Sequence, residues 1–240
     1  YKWSPDGAQI AFSKTEADSK REKAIKEKFG AFGIEGEEYK HAHLWVINFH
    51  PDSTKMSVSK RLTEGNFTVS GFDWNPDGKS IVFNRQRDPL INSGISADIV
   101  SINLSDKKII PLVANPASDF FIRWNPEGTA FVYTSSVNDS ITQFYKNNRL
   151  FVYDMATQKS REIATDIDEN KNVVEWNSNG IYLIALEKTK QKLYVVDSKT
   201  GKTQPVSIPL DIVGTVSFSK QSDKIAVLGR NHDGLNEVYI

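Results

Sequence analysis

One phrase recurs along this chain of 240 residues, and it constrains the fold more than any other feature. Trp3-Ser-Pro-Asp-Gly7 precedes Ile10-Ala-Phe12, and Trp74-Asn-Pro-Asp-Gly78 precedes Ile81-Val-Phe83. Trp124-Asn-Pro-Glu-Gly128 precedes Phe131-Val-Tyr133, and Trp176-Asn-Ser-Asn-Gly180 precedes Ile181-Tyr-Leu183. A weaker copy starts at Phe218 and precedes Ile225-Ala-Val227. The aromatic starts are 71, 50, 52 and 42 residues apart. Each phrase reads as a strand ending at the aromatic, followed by a tight turn. Pro presets φ at the first turn position and Gly supplies the left-handed residue that follows. The fourth copy keeps only Asn-Gly, and the fifth has neither Pro nor Gly, which makes its turn the least secure.

Two more strands follow in each repeat. Third strands are expected at His43–Ile47, Asp98–Ile102, Arg149–Tyr153, Lys192–Val196 and Glu237–Ile240. Fourth strands are expected at Lys60–Thr63, Ile109–Leu112, Arg161–Ile163 and Pro205–Ile208. Four short antiparallel strands per unit, repeated in tandem without helical crossovers, predict an all-β fold, a β-propeller of four-stranded blades. The expected blades span about 1–64, 65–114, 115–166, 167–209 and 210–240, the last incomplete. A β-sandwich with coincidental turns is the alternative. Ile240 falls inside a third strand, so a partial propeller of about five blades is expected.

The first spacing is long because residues 15–42 are inserted between the second and third strands; without those 28 residues it falls to 43. Thr15-Glu-Ala-Asp18 reads as a loose capping box. Ile25, Phe29 and Phe32 fall at helical spacing, with Lys and Glu on the other face. A helix is expected over residues 16–29, with Ile25 and Phe29 inward and Lys20, Lys23 and Glu27 toward solvent.

Composition narrows the function. The chain has no cysteine, which excludes disulfides, a cysteine nucleophile and thiolate metal sites. Thirty basic side chains balance thirty acidic ones, so there is no electrostatic footprint for nucleic acid or an anionic membrane. No apolar run approaches the roughly 18 residues of a membrane span, and the first residues do not read as a signal peptide. A chain of this length builds its core without help from metals, and no cofactor is expected.

The repeat phrase resembles the propeller repeats shared by TolB-like proteins and the prolyl oligopeptidase family of serine peptidases. The insert separates the two. Lys26-Glu-Lys-Phe-Gly30, Glu38-Tyr-Lys-His41 and His43-Leu-Trp-Val-Ile47 are similar to the first-blade segment of bacterial acylaminoacyl peptidase-like and dipeptidyl peptidase-like members. Arg61-Leu-Thr-Glu-Gly65, Gly71-Phe-Asp-Trp74, Asp166-Ile-Asp-Glu169 and Gly180-Ile-Tyr182 continue the likeness, which covers essentially the whole chain. The resemblance implies a propeller that caps a separate α/β-hydrolase domain and restricts access to small or unstructured peptides. The hydrolase would carry a Ser–Asp–His triad, with its serine in a Gly-x-Ser-x-Gly elbow. The nearest approach to that elbow here is Gly94-Ile-Ser-Ala-Asp98, which fails at the last position. The chain itself is therefore expected to be non-catalytic, with the hydrolase domain absent from it.

Strand parity puts the insert, 84–96, 136–146 and 166–170 on one rim, the expected hydrolase side. Glu37 and Glu38 lie on the insert. In dipeptidyl peptidase-like members a pair of propeller glutamates binds the free amino terminus of the substrate, and two carboxylates can anchor an ammonium by charge-assisted hydrogen bonds. Asp166, Asp168 and Glu169 form a second acidic cluster, suited to a cation, a substrate amine or an arginine. Solvated surface acids are the alternative for both sets. His41 and His43 alternate into a strand and share a face, but no third ligand lies nearby in sequence, so a metal site is not expected. Phe144 and Tyr145 read as channel lining or blade packing. Asn66, Asn103 and Asn138 match a glycosylation pattern without further support.

The function expected is substrate gating in a serine exopeptidase or oligopeptidase, with a peptide as the partner reached through the hydrolase. The runner-up is a stand-alone TolB-like propeller, a protein–protein interaction module. The compartment, bacterial periplasm or cytoplasm, and a homo-oligomer are left open.

Overall fold

The computed structural model describes residues 1–31, 33, 39–52, 57–136, 146–221 and 223–240. The chain divides into two compact units, Tyr1–Phe121 and Ile122–Ile240. The fold is all-β, a tandem run of antiparallel sheets in the partial-propeller class.

The first unit holds two four-stranded sheets. The first joins β1 (Lys2–Trp3), β2 (Gln9–Thr15), β3 (Ala42–Asn48) and β4 (Lys60–Arg61) in that order. The second joins β5 (Thr68–Trp74), β6 (Ser80–Gln86), β7 (Asp98–Asn103) and β8 (Ile109–Val113). Alternate side chains from both sheets meet in one core containing Leu44, Val46, Trp74, Ile81, Phe83, Val100 and Ile102. Trp74 Nε1 donates to the Lys2 carbonyl at 3.1 Å, so the buried indole also ties the two sheets together.

A third sheet joins β9 (Asp119–Trp124), β10 (Ala130–Ser135), β11 (Arg149–Asp154) and β12 (Lys159–Ile163). The fourth repeat supplies β13 (Lys171–Asn177), β14 (Gly180–Glu187), β15 (Lys190–Val196) and β16 (Thr203–Pro205). The fifth supplies β17 (Ile212–Phe218), β18 (Ile225–Arg230) and β19 (Glu237–Tyr239). These last two repeats are joined by a single parallel bridge, Gln191 to Ile212, and otherwise pack through Ile184, Leu193, Leu210, Val213 and Val227. The second and fourth expected fourth-strand positions mark the range of agreement. Ile109–Val113 is a full strand, whereas Thr203–Pro205 starts early and its pairing ends with Pro205 opposite Tyr194, one further amide, Val206, donating to the Leu193 carbonyl at 2.9 Å.

The phrase turns behave as expected. Trp74, Trp124 and Trp176 lie at the ends of first strands and are 4%, 6% and 7% exposed. The amides of Gly7, Gly78 and Gly128 donate to the carbonyls three residues back, and all three glycines have φ near +70°. The fourth copy, lacking Pro, makes a shorter loop in which Asn177 pairs with Gly180. A Cβ on Gly180 would lie 2.7 Å from the Val196 carbonyl oxygen. The residue after the aromatic has a role that the sequence reading did not assign. Asn125 Oδ1 accepts from the amides of Thr129 and Ala130, and Ser4 Oγ accepts from Gln9. In the fifth copy Ser219 Oγ accepts from Asp223 and Lys224, so a hydroxyl closes a turn that lacks Pro and Gly.

The insert corrects three expectations. The helix, α1, spans Lys20–Phe29 rather than 16–29, and its capping box is Ser19 with Glu22 rather than Thr15 with Asp18. Ser19 Oγ accepts from the Glu22 amide, and the Glu22 carboxylate accepts from the Ser19 amide at 2.7 Å. Ser19 wins because Lys20 begins the run of good helix formers, whereas Thr15 is held in the ladder opposite Ala42. Phe29 is 65% exposed and Ile25 half-buried, so the apolar stripe is not packed inward. With a single short apolar edge, α1 is held by its caps and by ion pairs of Lys40 with Asp18 and Glu22. Lys20, Lys23 and Glu27 face solvent as expected. Phe32 lies outside the described residues.

Candidate functional site

The acidic cluster sits where β12 passes to β13, and its centre is a lysine. Lys171 begins β13 and is 7% exposed. Its Nζ donates to the carbonyls of Ile167 at 2.9 Å and Glu169 at 3.0 Å. Burial lowers the Lys171 pKa, against the opposing pull of Asp168, Glu162, Asp166 and Glu169. The backbone at Lys171 is clamped by Asn148, which accepts from the Lys171 amide at 2.7 Å and donates to its carbonyl at 2.8 Å. Asn147 donates to Asp168 at 3.2 Å. Asp166 is raised by burial but, on balance, lowered by the hydroxyl and amide of Thr203, which both donate to it.

The corner therefore already contains one internal ammonium. Asp168 is exposed and Glu169 half-buried, so their carboxylates project from a site partly neutralised from within. The sequence reading found the acids and overlooked Lys171. The available signal was a lysine opening an apolar strand directly after Asp-Glu-Asn.

In the first unit, His41, just before β3, and His43 within it have ring centroids 6.2 Å apart. Their Nδ1 atoms lie 3.0 Å from Thr68 Oγ1 and 3.2 Å from Thr63 Oγ1. His43 is fully buried, and burial, reinforced by Arg61, pushes its pKa down. Glu16 Oε1 lies 3.1 Å from Arg61 Nη2 and 3.5 Å from His43 Nε2. Among the described residues, no group of three or more His, Cys, Asp or Glu side chains is placed to hold a metal ion. Glu37, Glu38, Phe144, Tyr145 and Asn138 lie outside the described residues. No described helix is long and apolar enough to cross a membrane.

No family model matches the chain. It is 27% identical over 228 residues to dipeptidyl-peptidase 5 of Porphyromonas gingivalis, an alignment that covers 85% of this chain and 33% of that protein. The chain thus spans about a third of the length of that relative. In structure it is similar to the acylaminoacyl peptidase of Pyrococcus horikoshii, with a TM-score of 0.66 and 14% identity over 99% of this chain and 35% of that one. It is also similar to TolB of Acinetobacter baumannii, with a TM-score of 0.55 and 15% identity over 82% of this chain and 45% of that one. The likeness expected from the repeat phrase and the insert is thus present: the chain is similar in sequence to a dipeptidyl peptidase and shares its fold with acylaminoacyl peptidase and TolB structures.

Proposed function

We propose that the chain is the non-catalytic propeller part of a serine exopeptidase or oligopeptidase, and that it gates peptide access to a separate α/β-hydrolase domain. The partial match carries this reading. The likeness to a dipeptidyl peptidase fills 85% of this chain but 33% of the relative, and the chain has no Gly-x-Ser-x-Gly elbow. The substrate-binding roles of Glu37, Glu38, Asp168 and Glu169 belong to this proposal. Their common chemistry is the capture of an ammonium by carboxylates.

The test uses the natural protein that carries this chain. A fluorophosphonate probe should label one serine outside these 240 residues, and dipeptidyl or acyl-peptide chromogenic substrates should be hydrolysed. Failure to label would favour the TolB-like interaction module. Gating predicts cleavage of a short peptide and sparing of the same sequence inside a folded protein; equal cleavage would remove the gate. Replacing Glu37 and Glu38 together by Gln should raise KM about tenfold for substrates with a free amino terminus and leave acylated ones unchanged. Equal effects would reduce the two acids to surface residues.

A further inference from the structure

The first unit holds a cavity of about 530 Å³ between the insert and strands β2, β3 and β4 of the first sheet, which the peptidase reading leaves unused. Lys14, Glu16, Tyr39, His43, Trp45 and Arg61 line it. His43 is the buried member, with 1% of its side chain exposed, and its Nε2 has no hydrogen-bond partner among the described residues. Glu16 Oε1, at 3.5 Å, is beyond the range of a good hydrogen bond. A buried ring nitrogen without a partner is costly, so it points to a group that arrives from outside.

The neighbouring hydrogen bonds suggest what Nε2 offers. Thr63 Oγ1 accepts from the Leu44 amide at 2.9 Å and lies 3.2 Å from His43 Nδ1. With the Thr63 hydroxyl proton assigned to Nδ1, the imidazole proton is on Nε2, as a donor into the cavity. The charges can be matched in the same way. Arg61 pairs with Glu16, and Lys40 with Asp18 and Glu22. Lys14 has no carboxylate within ion-pair distance among the described residues; its ammonium lies 5.5 Å from the centre of the Trp45 ring. The lining therefore has one unmatched positive charge and one unmatched N–H donor beside two aromatic rings. The nearby Arg61 guanidinium disfavours a dication.

We propose that this cavity binds a monoanionic carboxylate joined to an apolar body, the chemistry of the carboxyl end of a peptide. Lys14 and His43 are its donors, and Trp45 and Tyr39 face its body. N-acetyl-phenylalanine titrated into the intact 240-residue chain tests this, followed by calorimetry and by the His43 imidazole NMR signals. Saturable one-to-one binding that moves those signals is expected. The carboxamide analogue should bind at least tenfold more weakly, and acetate alone should also bind at least tenfold more weakly. Lys14→Met should weaken binding at least fivefold. Lys14 is exposed, so this variant keeps the fold even if His43→Gln does not. Several results would overturn the proposal: no binding, unmoved His43 signals, equal binding of the carboxamide or of acetate, or an indifferent Lys14→Met. Zn²⁺ alone shifting the same signals at micromolar concentration would make His43 and Glu16 a metal pair and overturn it too. None of these results depends on serine labelling, so this proposal and the peptidase reading fail separately.

Discussion

At Trp176 a single side chain ends a strand, fills the core and starts a turn. It belongs to one buried cluster with Val173, Ile181, Leu183 and Val196. Trp176→Ala should lower stability by about 3–5 kcal/mol, read from the midpoint of denaturant unfolding. Lys171 gives a prediction of a different kind. Its folded pKa is lowered by burial from the ordinary 10.5, so between the lowered value and 10.5 the unfolded chain binds more protons at this site. The contribution of this lysine to stability therefore rises with pH through that window and is flat below it. Lys171→Met should remove the rise, so that the stability of the wild type relative to the variant climbs as pH rises to 10.5. A constant difference across that range would mean that Lys171 titrates as a surface lysine.

At the scale of elements, strands and helix are stabilised in different ways. The strands share cores, whereas α1 has no buried residue and rests on its caps and charges. Ser19→Ala should cost the helix about 1 kcal/mol, which is about fivefold faster amide exchange at Glu22 and Lys23 with the global melting temperature unchanged. The capping box also responds to acid. Hydrogen bonds from the Ser19 side chain and backbone, with Lys40, lower Glu22 to about 2, below the ordinary 4.5. A depressed carboxyl pKa means that its support is present above 4.5 and lost as pH falls toward 2, so helical exchange protection should fall across that range while the sheets persist. The helix itself was legible from the spacing of Ile25 and Phe29; the inward packing of Phe29 was not, because periodicity shows a stripe without showing whether anything covers it.

For the whole molecule, repetition explains most of the architecture. Each four-stranded sheet has two apolar faces and requires a neighbour, so tandem copies build cores such as that of Ile184, Leu193, Leu210, Val213 and Val227 between successive repeats. Leu193→Ala should cost about 2–5 kcal/mol, and exchange should accelerate most in β17 and β18. The purified 240-residue chain should not turn over dipeptidyl or acyl-peptide chromogenic substrates, because it holds no nucleophile elbow. Serine-dependent hydrolysis by this chain in a release assay would refute the non-catalytic reading.

The amino-acid sequence by itself determined the repeat, the strand order within it and the turns, since these depend on local rules. Period-two alternation sets a strand, Pro and Gly set φ, and an aromatic at a strand end requires burial. The resemblance to peptidase propellers followed from the same phrase and its insert. Tertiary structure alone decided which polar groups meet. Lys171 among Asp166, Asp168 and Glu169 was close at hand in sequence, but the side chain that clamps its backbone, Asn148, comes from the loop before β11. His43, Glu16 and Arg61 come from three different segments, brought together because β3 lies between β2 and β4. Hydrogen bonds and ion pairs act over about 3–4 Å. Contacts of that length between segments tens of residues apart leave no periodic mark on the chain and exist only once the sheets have paired.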